Sequence, residues 1–247
     1  MPKFFVKNEQ IKENQIEILG EDVNHIVNVL RLQKHDKIVV ANLESAVSYK
    51  AEILELHKEK VICQIIEKIE ETTESNVNVT IFQGLPKADK MELIIQKGTE
   101  LGATKFIPVS FKRSIVKLSG KDESKKIDRW QKIAEVASKQ SMRDMIPEVT
   151  TVMSVKELVK CIPEYDVFLL AYEMEKETYI KSILKNLDKK DRYKIAVAIG
   201  PEGGIDEEEV KMLKNAGAKV ISLGNRILRT ETVALQVSSI IMYELEE

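Results

Sequence analysis

Apolar positions change rhythm once along the chain. Over residues 1–70 they fall in short β-branched or alternating runs, at 4–6, 16–19, 37–41, 47–56 and 60–69. A two-residue period of this kind marks half-buried strands. One stretch, 22–30, breaks the pattern and sets Val23, Ile26, Val27 and Leu30 on a single helical face. Several short strands closing on one small helix predict a compact barrel. The polar run at 70–76 predicts the domain boundary, giving domains over 1–72 and 73–247.

Beyond that boundary strands and helices alternate. Strands are expected over 77–83, 105–109, 166–171, 193–199 and 219–222, and helices over 88–101, 124–140, 178–187, 206–216 and 231–245. Such alternation calls for a parallel sheet with helices on both faces, an α/β domain. The last helix carries Val233, Val237, Ile240 and Ile241 on one side, widened by Leu235, Met242 and Leu245. That surplus of apolar surface suits a symmetric dimer.

Composition narrows the class of protein. With 43% hydrophobic and 32% charged residues over 247 positions, the chain reads as an ordinary globular protein. Its longest apolar runs, such as 195–199, fall far short of the ~20 residues that a membrane span requires. The opening MPKFFVKNEQ has no signal-peptide core, so a cytoplasmic location without a membrane partner is expected. Cys63 and Cys161 form no CxxC, and His25, His35 and His57 form no HExxH. Neither a disulfide framework nor a metal site is expected. A Ser-His-Asp hydrolase is disfavoured as well.

The charge distribution is more telling than the net charge of −2. Over 105–143, eight Lys and three Arg face only Asp122, Glu123, Asp128 and Glu135, a local excess of +7. Over 200–247 the balance is −4. A basic stretch in a slightly acidic chain either grips a polyanion or forms solvated helix faces.

Ligands of open α/β sheets bind beyond the carboxyl ends of the strands, which singles out two loops. Gly200-Pro201-Glu202-Gly203-Gly204 directly follows the apolar strand ending at Ile199. It is either a tight turn or a place where backbone closely approaches a ligand. Phosphate is disfavoured, because Asp206 and Glu209 form a capping box that already uses the helix amides. A neutral or cationic ligand suits the loop better. The second loop, 223–232, holds Leu223, Ile227 and Leu228, and Thr230 is placed to cap the last helix. It packs on its own domain or forms an apolar slot for a flat ring such as adenine.

GPEGG followed by LGNRILRTET resembles the paired C-terminal motifs of the RsmE family, 16S ribosomal RNA (uracil-N3)-methyltransferases of the SPOUT superfamily. Further stretches agree in order. His25 to Arg31 resembles the family's HxxxVLR, Lys97 to Gly102 its KxxELG, Arg113-Ser114 its ERS, and Arg129-Trp130 through Arg143 its RW…EQSxR. Lys3, Lys112, Lys139 and Val233 depart from the family's usual residues.

The resemblance implies a PUA-like RNA-binding barrel followed by a trefoil-knotted SPOUT domain, a homodimer in which two subunits complete each site, and a 16S ribosomal RNA substrate in the small subunit. It implies S-adenosylmethionine bound by Ile199, Gly200, Pro201, Glu202, Gly203 and Gly204, by Leu223, Gly224, Arg226, Ile227 and Leu228, and by Ala171 at the same sheet edge. A uridine N3–H must lose its proton, so a cation beside O2 or O4 has work to do. Arg113, Arg143 and Arg229 are the candidates by motif position, and no general base is evident. RNA contacts are expected from Lys3, Arg31, Lys112, Arg113, Lys117 and Arg143. A catalytically silent ribosome-assembly factor and a SPOUT enzyme acting on another RNA are the competing readings.

Overall fold

The computed structural model describes residues 1–246. The chain forms two compact units, Met1–Glu74 with Ser138–Ile146, and Ser75–Ala137 with Pro147–Glu247.

The first unit is built on six strands: β1 (Lys3–Val6), β2 (Ile11–Lys12), β3 (Gln15–Leu19), β4 (Lys37–Asn42), β5 (Ser48–Leu56) and β6 (Lys60–Ile69). Their order in the sheet is β1-β4-β5-β6-β3-β2, with β1 parallel to β4 and the other pairs antiparallel. Alternate strand residues, among them Phe4, Ile16, Ile18, Ile38 and Ile53, fill a core closed by Val23 and Ile26. The helix between β3 and β4 departs from the expected face. A regular turn, α1 (Glu21–Asn24), passes into a π-helical turn over His25–Val29. Widening to five residues per hydrogen bond rotates the side chains beyond it. Val23 and Ile26 stay buried while Val27 and Leu30 turn outward.

Asp144 pins Ser138–Ile146 into this unit. Its carboxylate accepts from Lys3 Nζ and Ser48 Oγ, both at 2.5 Å, and from the Thr72 hydroxyl and the Thr73 amide, both at 2.9 Å. Beside it the Arg143 guanidinium holds Glu74 at 2.6 Å. Burial alone would raise the Asp144 carboxyl, but Lys3, Ser48 and Thr73 outweigh it and hold it at about 2. Lys3 and Arg143, expected at the RNA, are thus buried in ion pairs that a phosphate contact would have to break. Their residue type suggested polyanion binding, and their partners lie about 70 to 140 residues away in sequence.

The second unit is a parallel sheet flanked by helices. Its elements are β7 (Val77–Gly84), α2 (Lys90–Glu100), β8 (Ala103–Ser110), α3 (Gly120–Gln140), β9 (Glu148–Val149), β10 (Met153–Ser154), α4 (Val155–Cys161), β11 (Val167–Ala171), α5 (Ile180–Leu184), β12 (Tyr193–Ile199), α6 (Glu207–Asn215), β13 (Lys219–Ile221) and α7 (Thr230–Leu245). The order is β10-β8-β7-β12-β11-β13, with β9 also on β8. The continuous apolar run of β12 lies between β7 and β11 and is buried at every residue but Lys194. A strand covered by helices on both faces needs that composition. Register aligns Gln83, Ile199, Ala171 and Ile221 in one row across the carboxyl edge. The loops leaving β12 and β13 are therefore neighbours.

Three of these second-unit elements were not expected. The short strands β9 and β10 carry too little pattern to read, and α4 has only seven residues, although Ser154 and Glu157 give it a capping box. The helix expected over 178–187 shortens to α5. Among the described residues no helix is long and apolar enough to cross a membrane.

Candidate active site

The carboxyl edge of the second sheet opens into a cavity of about 650 Å³. Its floor is the row of strand ends, Ala171, Ile199 and Ile221. One wall is the loop after β12, contributing Gly200, Pro201, Glu202 and Gly204, and the other is the loop after β13, from Ser222 to Arg229. Parallel strands all present their carboxyl ends to one side, so two loops separated in the chain by α6 and β13 face each other across one crevice.

Both walls need glycine. Gly204 sits at φ +70° and Gly224 at φ +103°, backbone conformations that side chains disfavour. The first wall is also locally closed, because the Gly204 amide donates to the Pro201 carbonyl at 2.9 Å. Behind it the Asp206–Glu209 capping box is formed, with the Asp206 carboxylate accepting from the Glu208 amide at 3.2 Å. Burial works against ionisation of Asp206, but that amide and Lys112 hold its carboxyl below the usual range. An anion at this helix terminus would meet a carboxylate instead of bare amides. The apolar floor, the glycine walls and the filled helix end suit a flat heterocycle carrying a positive group, and do not suit a polyphosphate.

Eleven of the twelve expected cofactor residues line this cavity: Ala171, Ile199, Gly200, Pro201, Glu202, Gly204, Leu223, Gly224, Arg226, Ile227 and Leu228. Gly203 does not. A Cβ there would lie 3.1 Å from the Arg113 carbonyl oxygen, so this glycine admits a neighbouring loop and not a ligand. Glu202 lines the cavity but its carboxylate is committed elsewhere, accepting from the Lys87 amide at 3.0 Å and Lys90 Nζ at 2.8 Å. Burial opposes this, yet Lys90 and the Lys87 amide keep the Glu202 carboxyl low. The carboxylate against the glycine wall is Glu173, whose Oε1 lies 2.5 Å from where a Gly204 Cβ would be.

Sequence reading missed Glu173, Tyr172 and Lys90, which also border the cavity. The first two directly follow Ala171, so the strand end pointed to them. Nothing marked Lys90. Thr230, expected as the cap of α7, is its first residue instead. Arg229 holds the cap position, and Thr230 turns its side chain inward.

The candidate cations separate into three groups. Arg229 lines the cavity and is exposed. Arg113 is 46% exposed beside Gly203, with Nε 3.6 Å from Asp206 Oδ2. Arg31 and Lys117 are exposed as well. Lys112 is matched locally: its Nζ lies 3.3 Å from Asp206 and 3.4 Å from Glu208, and its amide donates to Glu209. Three acids of one helix start already use it, which argues against a phosphate role. Arg143 lies in the buried pair of the first unit. Among the described residues no cluster of His, Cys, Asp and Glu is placed to hold a metal ion.

Residues 73–242 match the family model of an RNA methyltransferase domain, and residues 18–66 that of an RNA methyltransferase PUA domain. The chain is 40% identical to the ribosomal RNA small subunit methyltransferase E of Bacillus subtilis, covering 100% of this chain and 98% of that protein. Two solved structures superpose with a TM-score of 0.87 each. One is a ribosomal RNA small subunit methyltransferase E from Neisseria gonorrhoeae bound to S-adenosylmethionine, 27% identical, covering 100% of this chain and 98% of that one. The other is a Legionella pneumophila protein in complex with bound S-adenosylmethionine, 26% identical over 99% and 98%.

Proposed function

The chain belongs to the ribosomal RNA small subunit methyltransferase E family, RsmE, and from that premise we propose that it methylates N3 of a uridine in 16S ribosomal RNA. S-adenosylmethionine is the methyl donor. The observation that carries this reading is the single cavity between the 200–204 and 222–229 loops, since both family motifs reach it.

Ile199, Ile221, Leu223 and Leu228 would hold the adenine against the sheet edge, with Gly200, Gly204 and Gly224 letting backbone amides and carbonyls approach its rim. Bound there, the cofactor supplies a methyl group on a sulfonium that leaves without needing a proton. The protein's task is to orient the uracil and to stabilise the anion left when N3 loses its proton. Arg229, at the cavity wall, and Arg113, beside it, are permanently charged donors suited to the uracil oxygens O2 and O4. Exposed Lys117 in the basic stretch, and Arg31 in the PUA-like unit, supply phosphate contacts. A second copy of the chain completes the site, and the trefoil knot of the family brings the two loops together.

Calorimetry with S-adenosylmethionine alone tests the site. Wild-type protein is expected to bind without RNA. Gly224→Val should abolish binding, because the branched side chain both disfavours φ +103° and enters open space beside the cavity. Nucleoside mass spectrometry of 16S ribosomal RNA tests the product: N3-methyluridine should disappear from cells lacking the protein. Unchanged modification would overturn the substrate assignment.

A further inference from the structure

The 200–204 loop is held at its first residue by a buried hydrogen-bond chain that ends on Gln83, a residue outside the cavity lining. Gln83 of β7, in register with Ile199 of β12, has no exposed surface. Its Nε2 donates to the Gly84 carbonyl at 2.9 Å and to Thr230 Oγ1 at 2.8 Å. Thr230 Oγ1 in turn donates to the Gly200 carbonyl at 2.7 Å. Directions are forced here: an amide nitrogen only donates, a carbonyl only accepts, and a hydroxyl has one proton. Thr230 must therefore accept from Gln83 and give its own proton to Gly200.

The same spot leaves no slack. A Cβ on Gly84 would lie 2.6 Å from the Pro201 nitrogen and 2.9 Å from the Gly200 carbonyl carbon. One on Gly200 would lie 2.8 Å from Ile205 Cγ1. The peptide between Gly200 and Pro201 is thus seated on the end of β7 and tied there by Thr230. Thr230 also opens α7 directly after the second loop. One hydroxyl therefore joins the two cavity walls, and Gln83 sets its direction.

Gln83 Oε1 is itself buried without a hydrogen-bond partner. Simple burial does not explain an amide here, since leucine would fill similar space without leaving an oxygen unpaired. What leucine lacks is the donor that Thr230 accepts. We propose that Gln83 and Thr230 are positioning residues for the cofactor: they fix the spacing of the two loops, and with it the width of the slot that takes the adenine. The inference rests on the cofactor reading of the cavity.

The test compares Thr230→Val, which keeps the shape and loses the hydroxyl, with Thr230→Ser, which keeps the hydroxyl, and with Gln83→Leu. Calorimetry gives S-adenosylmethionine affinity, turnover on ribosomal RNA gives kcat and KM, and thermal melts establish that each variant is folded at the assay temperature. Thr230→Val and Gln83→Leu should weaken cofactor affinity and raise its KM by about tenfold, the scale of one lost hydrogen bond, with kcat at saturating cofactor little changed. Thr230→Ser should stay near wild type. Should Thr230→Val not fold, Gln83→Leu decides, because it leaves the hydroxyl in place and removes the amide that donates to it and to the Gly84 carbonyl. Wild-type affinity in the folded variants, or a Thr230→Ser variant as weak as Thr230→Val, would overturn the proposal while leaving the cofactor site intact. A wild-type protein that binds no S-adenosylmethionine would instead bring down the cofactor reading, and this inference with it.

Discussion

Arg113 and Lys117 lie four positions apart in the same basic stretch, yet their surroundings separate their expected roles. Arg113 stands beside the glycine wall of the cavity, whereas Lys117 is exposed well along the following loop. Arg113→Ala should lower single-turnover methylation by roughly 10²-fold or more, the scale of one lost anion-stabilising donor, with cofactor affinity unchanged. Lys117→Ala should weaken RNA binding alike for all sequences and flatten the log–log salt slope by about 0.7–0.9. An Arg113→Ala variant that changes only the salt slope would be a lost phosphate anchor. Asp144 offers a test away from the cavity. Its carboxyl is held near 2 against an ordinary 3.8, so its contribution is complete above 3.8 and disappears as pH falls toward 2. That linkage amounts to roughly 2 kcal/mol. Asp144→Asn strands the Lys3 ammonium and should cost about 3–5 kcal/mol at neutral pH. In urea unfolding at pH 7, 4 and 2.5, the gap between the two proteins should narrow at the acid end.

At the scale of elements, two helices are fixed by contacts that explain their residues. On α2, Met91, Ile94, Ile95 and Gly98 form the buried face, and a Cβ on Gly98 would lie 2.7 Å from the Phe106 ring of β8. Gly98→Ala should therefore destabilise by about 1–3 kcal/mol, despite alanine's better helix propensity. A thermal melt showing stabilisation would mean that the helix can move off the sheet. On α6, Asp206→Ala should cost about 1 kcal/mol through the lost cap. It also leaves the Lys112 ammonium with Glu208 as its one remaining carboxylate of the two, and the charge so released should add to RNA binding at low salt. Element legibility followed length and period. The apolar run of β12 and the capping box of α6 were readable because local sequence suffices for both. The π-helical turn at His25–Val29 and the seven-residue α4 were not, since tertiary packing selects them over weak local preference.

For the whole molecule, association is the open quantity that a simple measurement reaches. Tyr243 on α7 is 87% exposed and Ile227 at the cavity rim 89%, while Val233, Leu235 and Ile240 are only half-buried. A second copy covering this surface should give a light-scattering mass near twice 28.1 kDa at micromolar concentration. A monomer mass there would remove the dimer from the proposed site.

Sequence alone determined the α/β class and singled out the cavity's two loops, because strand and helix periods and a glycine-rich turn after an apolar strand are local features. It left each loop open to a bland reading, and the family resemblance picked out eleven residues that line the cavity. The family motifs added the cofactor. Tertiary structure alone decided which polar groups are available. Lys3 and Arg143 carry the charge of RNA ligands, yet Asp144 and Glu74 bury them. Gly203 belongs to the motif, yet it accommodates Arg113. Gln83 bears no motif mark at all, yet through Thr230 it ties one cavity wall to the other. A side chain's partner is set by where distant strands bring it, and 147 positions separate Gln83 from Thr230.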